Sequence, residues 1–418
     1  MLKKAFKWFG FIIIAKQVFT FQLPFFSIPF LGRDVNTYLY YLFILLSLLA
    51  LISFLLGRER KDKNNWFLLF YLIWSLIISI FNLINYNYFL SDFALFVTPI
   101  AIYSWYKYCH PSLKECINWF SIVGILMAYF SIMISTGSLD VGIWAAEGDY
   151  VRAAGAISSS AGIGCLIGIL SYLFFSREKR GFAEYLLNIV GLAGSVVTII
   201  FSFSRTRWVI SIFAVALVIL AFLFTSRRKK NKFGFAFLIL LIGAGTFLLL
   251  RSNILDKAIE QMMTRFDLVQ YGDHSIIYRQ EEMYAQLNAA VDGSLLGTGW
   301  GSISGSDMYV HNIFTALVMQ AGLFSIFYLL WYFSFFATLF KYLKVRRNMF
   351  VLSVSTLLQL ILIVLGITNG GFMVSGGYFT FVLVVACDVN MKKELPEKKK
   401  KGVTRVYENR HINLSPSR

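Results

Sequence analysis

The chain has 418 residues, of which 58% are hydrophobic and only 15% charged, with a mean hydropathy of +0.67. Ordinary soluble domains carry about 25% charged residues, so a soluble globular fold is excluded. The net charge of +17 would suit a nucleic-acid binder, but its placement along the chain assigns it to membrane topology, and no nucleic-acid partner is expected.

The apolar residues fall into blocks of roughly 20, the length that crosses ~30 Å of hydrocarbon as a helix. Helices are required because lipid cannot satisfy open backbone groups. Residues 1–10 are basic and run into the first block with no small-residue cleavage site near 20–31, so a retained first helix is expected. Twelve blocks follow, at about 9–31, 37–56, 66–86, 89–106, 117–135, 153–175, 184–203, 208–225, 233–250, 312–340, 349–367 and 374–388. Lys16 and Pro24 interrupt the first.

Every second connection is basic: 57–63, 107–116, 177–180, 227–232 and 341–347. With the N-terminus and the tail from Lys392 they hold 30 of the 39 lysines and arginines. Basic loops stay cytoplasmic. The expected fold is therefore all-α and polytopic, with about 12 transmembrane helices in the cytoplasmic (inner) membrane and both termini cytoplasmic. One large external loop, containing short helices, lies between spans 9 and 10. Residues 1–390 form the membrane domain, including external loop 251–311. Residues 391–418 form a basic cytoplasmic tail, polar enough to be disordered, with Lys398–Lys401 against anionic lipid. Cys109, Cys116, Cys165 and Cys387 are too few for a disulfide framework. Cys109 and Cys116 flank His110 on the reducing side, and no metal site is expected.

The long loop should carry an amphipathic helix opened at Asn253–Asp256 and built on Leu255, Ile259, Met262, Met263 and Phe266. A second helix is expected over 275–291. Gly297, Gly299, Gly301 and Gly305 then break regular structure, in a turn that returns His311 to the bundle, followed by Asn312 and the tenth span.

Eight basic residues fall outside: Arg33, Arg152, Arg205, Arg207, Arg251, Lys257, Arg265 and Arg279. Seven are arginine, whose planar fork binds phosphate bidentately and stays charged when partly desolvated. The long loop holds 4 basic and 8 acidic residues, so these arginines are not a general basic coat. Arg205 and Arg207 sit between two spans with almost no loop, where a charge costs a few kcal/mol unless paired. They read as a diphosphate clamp, or as residues snorkelling to headgroups. Arg152 joins the clamp or pairs with Glu147 or Asp149; Arg279 joins it or pairs with Glu282. His311 can accept a proton at neutral pH, or be an interfacial histidine bonded to a loop carbonyl; His274 is the fallback. The chain has no Asp-x-Asp, and Glu281 and Glu282 diverge by about 100° on a helix, unlike a facing glycosidase pair.

These residues resemble the O-antigen ligase and O-antigen polymerase superfamily of bacterial surface-polysaccharide enzymes. Arg152-Ala-Ala-Gly155 looks like its Arg-x-x-Gly span opening, and Ser204-Arg-Thr206 like its Ser-Arg-Thr motif. Arg279, the glycine segment 297–301 and His311-Asn-Ile-Phe…Gly322 look like its loop and the His-Asn segment after it. Ser158-Ser-Ser160 departs from the Asn-Pro-Asn of many relatives. The resemblance implies an inverting, metal-independent membrane glycosyltransferase without cofactors. Its donor would be an undecaprenyl-diphosphate-linked glycan and its acceptor another glycan, with membrane lipid around it; whether it works alone or beside a chain-length regulator is left open by the sequence. His311 would be the base; Arg205, Arg279, Arg152 and Arg207 would hold the diphosphate, with Asn312, Gly297, Gly299 and Gly301 in support. A polymerase of lipid-linked repeat units (O-antigen, capsule or exopolysaccharide) is the expectation. A ligase acting on lipid A core is the alternative, and a polysaccharide or lipid-carrier transporter is the alternative from another class. A transporter would show balanced loops and internal symmetry, whereas this chain has one dominant outer loop.

Overall fold

The structure, a computed structural model, describes residues 1–19, 29–30, 33–57, 62–135, 138–139, 146–147, 150–151, 157–176, 178, 180–202, 204–225, 274–292, 295–306, 312–345, 348–368 and 375–395. The ninth expected span, the amphipathic loop helix and the chain end from 396 lie outside the described residues.

The helices, in chain order, are α1 (Leu2–Lys16), α2 (Val35–Leu56), α3 (Lys63–Phe81), α4 (Tyr86–Cys109), α5 (Leu113–Ser135), α6 (Ser159–Phe175), α7 (Phe182–Ile200), α8 (Arg205–Thr225), α9 (His274–Asp292), α10 (Ser302–Gly305), α11 (Ile313–Ala321), α12 (Ser325–Leu343), α13 (Met349–Thr368) and α14 (Ser375–Glu394). Two short antiparallel pairs join them, β1 (Pro29–Phe30) with β2 (Arg33–Asp34), and β3 (Ala146–Glu147) with β4 (Tyr150–Val151). Among the described residues, eight helical stretches are long and apolar enough to cross a membrane: α2, α3, α4, α5, α7, α8, the α11–α12 pair and α13. The chain is a polytopic helical membrane protein.

Local chemistry sets the helix ends. The Asp62 carboxylate accepts from Asn64 N at 3.1 Å to start α3. Ser112 and Glu115 form a reciprocal capping box at α5, with Glu115 N donating to Ser112 Oγ and Ser112 N to the Glu115 carboxylate. Arg180 closes α6: its guanidinium donates to the Tyr172 carbonyl at 2.7 Å and lies 4.5 Å from the Tyr172 ring centre.

Four elements differ from the sequence reading. The first span is no single helix over 9–31. The 15-residue α1 ends at Lys16, whose buried ammonium turns to the Phe19 carbonyl at 3.0 Å. At ~1.5 Å per residue such a helix is about 22 Å long, and stopping it there satisfies a charge too costly to leave unpaired. Phe19 then bridges Ile157. The sixth span begins at Ser159, not 153. The tenth breaks at Gly322 (φ 55°), which separates α11 from α12. The last helix runs to Glu394, four residues into the stretch read as tail.

Helix pairings put particular ends together. Lys114 pairs with Glu184 at 2.5 Å and Ser121 Oγ donates to Asn188 Oδ1 at 2.9 Å, so α5 and α7 run parallel. Gly162, early in α6, faces Thr198 and Ile199, late in α7. Phe174 stacks on Phe222, so α6 and α8 finish together. Tyr172 meets Phe350 at the start of α13, and Gly366, near the end of α13, faces Ile313. The starts of α6, α8 and α11 thus share one end of the bundle with the ends of α7 and α13.

Pro99 sits inside α4 and removes the N–H that would bond the Leu95 carbonyl. The Tyr378 hydroxyl of α14 donates to that carbonyl at 3.1 Å, and Tyr328 of α12 donates to Phe96 O at 3.3 Å. The proline is thereby accommodated within the bundle.

Candidate functional site

The glycine segment is hydrogen-bonded to the bundle. Gly297, Gly299 and Gly301 have φ of 93°, 86° and 104°. At Gly301 a Cβ would lie 2.2 Å from Ile84 Cγ2 and 2.9 Å from Phe89 N, so both conformation and space demand glycine. Thr298 N and Gly299 N donate to the Met319 and Gln320 carbonyls at 2.8 and 2.9 Å, satisfying acceptors that the end of α11 leaves open. From α3, Trp74 Nε1 donates to Leu296 O at 3.0 Å, and Asn82, just past its end, donates to Thr298 O at 2.8 Å. Trp300 donates its backbone N–H to Ser79 Oγ at 2.7 Å, and its ring packs edge-on against Phe89 and Phe93.

Asp92 of α4, 1% exposed, completes the dock. Its Oδ2 accepts from Gly301 N at 2.7 Å and Ile303 N at 3.0 Å. Its Oδ1 accepts from Ser304 N at 3.2 Å and Ser304 Oγ at 2.5 Å. Sequence reasoning missed this residue. The available signal was a lone carboxylate in the fourth apolar block, since intramembrane ionisable residues are expensive and retained for a purpose.

The second loop helix, expected over 275–291, is α9, His274–Asp292. Its buried face carries Glu282, Gln286 and Ala290, with Met283 beside them, and packs on the start of α11. Thr315 Oγ1 donates to Gln286 Oε1 at 2.6 Å, and Asn312 Nδ2 reaches Met283 Sδ at 3.7 Å. Asn312 also caps α11, its Oδ1 accepting from Phe314 N at 2.9 Å and Thr315 N at 3.3 Å. Asn312 therefore has a double role, capping one helix and touching the other.

Arg279 lies one turn before Met283 on that same face, half-buried. Among the described residues no ion pair joins it to Glu282 or any other carboxylate. Glu281 is exposed and Glu282 buried, so the adjacent carboxylates diverge. Arg205 is the first residue of α8, at the same bundle end as the start of α11; its side chain lies outside the described residues. Arg207 is half-buried in the first turn, next to Trp208, whose Nε1 donates to the Ile199 carbonyl at 2.9 Å.

His311 and Arg152 lie outside the described residues, as do Arg251, Lys257 and Arg265. The four cysteines are free and buried, and among the described residues no group of three or more His, Cys, Asp or Glu is gathered to hold a metal. No family model and no curated protein matches the chain.

Proposed function

We propose that the protein is a membrane glycosyltransferase that polymerises lipid-linked oligosaccharide repeat units at the outer face of the cytoplasmic membrane. In this reading the chain crosses the membrane about twelve times, with both termini inside and the end bearing Asn312 outside. The supporting observation is Arg279. It is a half-buried arginine with no carboxylate partner among the described residues, on the α9 face that meets the residue bonded to His311. Arg205 and Arg207 begin α8 at the same bundle end.

Each group has a defined task. Arg279 and Arg205, with Arg207 and Arg152, bind the diphosphate of the donor. The acceptor hydroxyl oxygen attacks the anomeric carbon from the face opposite the diphosphate, which inverts that centre. The new C–O bond forms as the bond to the phosphate oxygen breaks, and its electron pair leaves on the lipid diphosphate. His311 takes the hydroxyl proton, a step worth about 10²–10⁴-fold. The leaving diphosphate needs no acid, because fixed positive groups in a dry site stabilise its charge.

The test is the lipid profile of cells lacking the protein. Single repeat units accumulating on the carrier support polymerisation; finished polymer on the carrier indicates a ligase; an unchanged profile overturns the reading. The accumulated lipid, added to purified protein in buffer containing EDTA, should be extended by the wild type and not by His311→Ala. Normal extension by that variant would remove the base from the mechanism.

A further inference from the structure

We propose that Tyr71, Ser75, Trp300 and Gln320 form a buried binding site for one neutral hydrogen-bonding molecule, water, which joins α3, α11 and the glycine segment. None of the four residues is more than 2% exposed. The Tyr71 hydroxyl donates to Gln320 Oε1 at 2.6 Å, and Trp300 and Ser75 turn their polar atoms towards the same hydroxyl. Neither completes a bond there. Among the described residues, Trp300 Nε1, Ser75 Oγ and Gln320 Nε2 have no hydrogen-bond partner. Leaving one buried polar group unsatisfied is costly, and three gathered around one hydroxyl mark a place made for a further partner.

The chemistry of the four groups selects that partner. Trp300 Nε1 and the Gln320 amide nitrogen only donate, Ser75 does both, and the Tyr71 oxygen keeps its lone pairs after its proton is spent on Gln320. A water molecule there accepts from Trp300 and Gln320 and donates to Ser75 and Tyr71, which is within the range of bonds a buried water makes. Turning the Gln320 amide over exchanges its donor for an acceptor, and a molecule that does both still fits. A halide would suit the donors but not the charge, because the Asp92 carboxylate faces the same tyrosine and repels an anion. The indole does not depend on the water for its position. Its backbone N–H is held by Ser79 and its ring by Phe89 and Phe93, so Trp300 presents its ring N–H at a fixed point.

The experiment uses the full-length purified protein in detergent. X-ray irradiation splits a bound water in place, and the hydroxyl radical oxidises the rings beside it. Mass spectrometry should find Trp300 and Tyr71 oxidised at least about fivefold faster than Trp105. That residue is the control: it is also buried, and its Nε1 already donates to the Phe6 carbonyl at 3.0 Å. Ser75→Val fills the site with methyl groups while keeping the backbone carbonyl that Ser79 uses, and should bring both rates down to that of Trp105. Should valine prove too large for α3 to fold, Gln320→Met removes a donor at similar length and should lower the same two rates. Wild-type rates no faster than that of Trp105 would overturn the site. Fast rates that neither variant lowers would overturn it too, since the radical would then arrive from bulk water. An anomalous peak among the four groups in crystals grown with bromide would put an anion there and overturn the choice of water.

Discussion

Thr315 of α11 donates its hydroxyl to the Gln286 side-chain oxygen of α9 at 2.6 Å, in a contact buried from solvent. Twenty-nine residues separate the two, as they separate Asn312 and Met283, so α9 and the start of α11 run side by side in parallel. Arg279 lies one turn before Met283 on α9, towards the start of that helix. Thr315→Val keeps the shape and removes the donor, at about 0.6–2 kcal/mol for a hydrogen bond in such a setting. The expected result is a several-fold loss of glycan extension with normal membrane abundance, while Thr315→Ser retains activity. Full activity of the valine variant would show that α9 is held by other contacts.

Arg279→Lys and Arg205→Lys test the diphosphate reading directly. Lysine keeps the charge and loses the bidentate fork. A charge-assisted hydrogen bond is worth about 1.5–3 kcal/mol, so each change should cost roughly 10–100-fold in kcat/KM. Wild-type rates in the Arg205 variant would indicate a guanidinium that only reaches for headgroups. Wild-type rates in the Arg279 variant would remove the observation on which the proposed function chiefly stands.

The helix plan was largely legible because lipid allows few alternatives: a block of apolar residues has to become a helix. α9 was legible for a different reason, since its helical pattern lies in an otherwise polar loop. The errors cluster where one residue outweighs a pattern. Lys16 stops α1 because its ammonium needs an oxygen, and Gly322 breaks the tenth span because its left-handed conformation lets the glycine segment approach; Leu323 N donates there to the Leu295 carbonyl at 2.9 Å. The dock of Gly301 on Asp92 was illegible because its partners are 209 residues apart, and no local spacing records such a pairing. The glycines announced a turn but not the surface against which it rests.

Tyr378 and Pro99 should be coupled. Tyr378→Phe leaves the Leu95 carbonyl without the hydroxyl that replaces its helical donor, at a cost of about 1 kcal/mol. Pro99→Ala restores the backbone N–H to the same carbonyl. The double variant should therefore be more stable than the two single effects predict, by about the energy of one hydrogen bond. Thermal unfolding of the four purified proteins in detergent measures this directly. Strict additivity would mean that Tyr378 and Pro99 serve unrelated ends.

A close helix contact yields a sharp stability prediction. Along the parallel seam of α5 and α7, a Cβ at Gly191 would lie 2.5 Å from Ser121 Cα and 2.8 Å from the Ser121 carbonyl oxygen. Backbone atoms cannot rotate away, so Gly191→Ala must push the helices apart. That disturbs the Ser121–Asn188 hydrogen bond at 2.9 Å and the Lys114–Glu184 pair on the same seam. Overpacking of this kind costs about 1–3 kcal/mol, and in a membrane no hydrophobic force between helices offsets it, since lipid tails are as apolar as the side chains. The expected result is a marked fall in membrane abundance and melting temperature. Gly181→Ala, with no atom within 4 Å of its Cβ, serves as the control and should change neither. Equal stability of the two variants would mean that the α5–α7 seam is not packed as tightly as its glycines require.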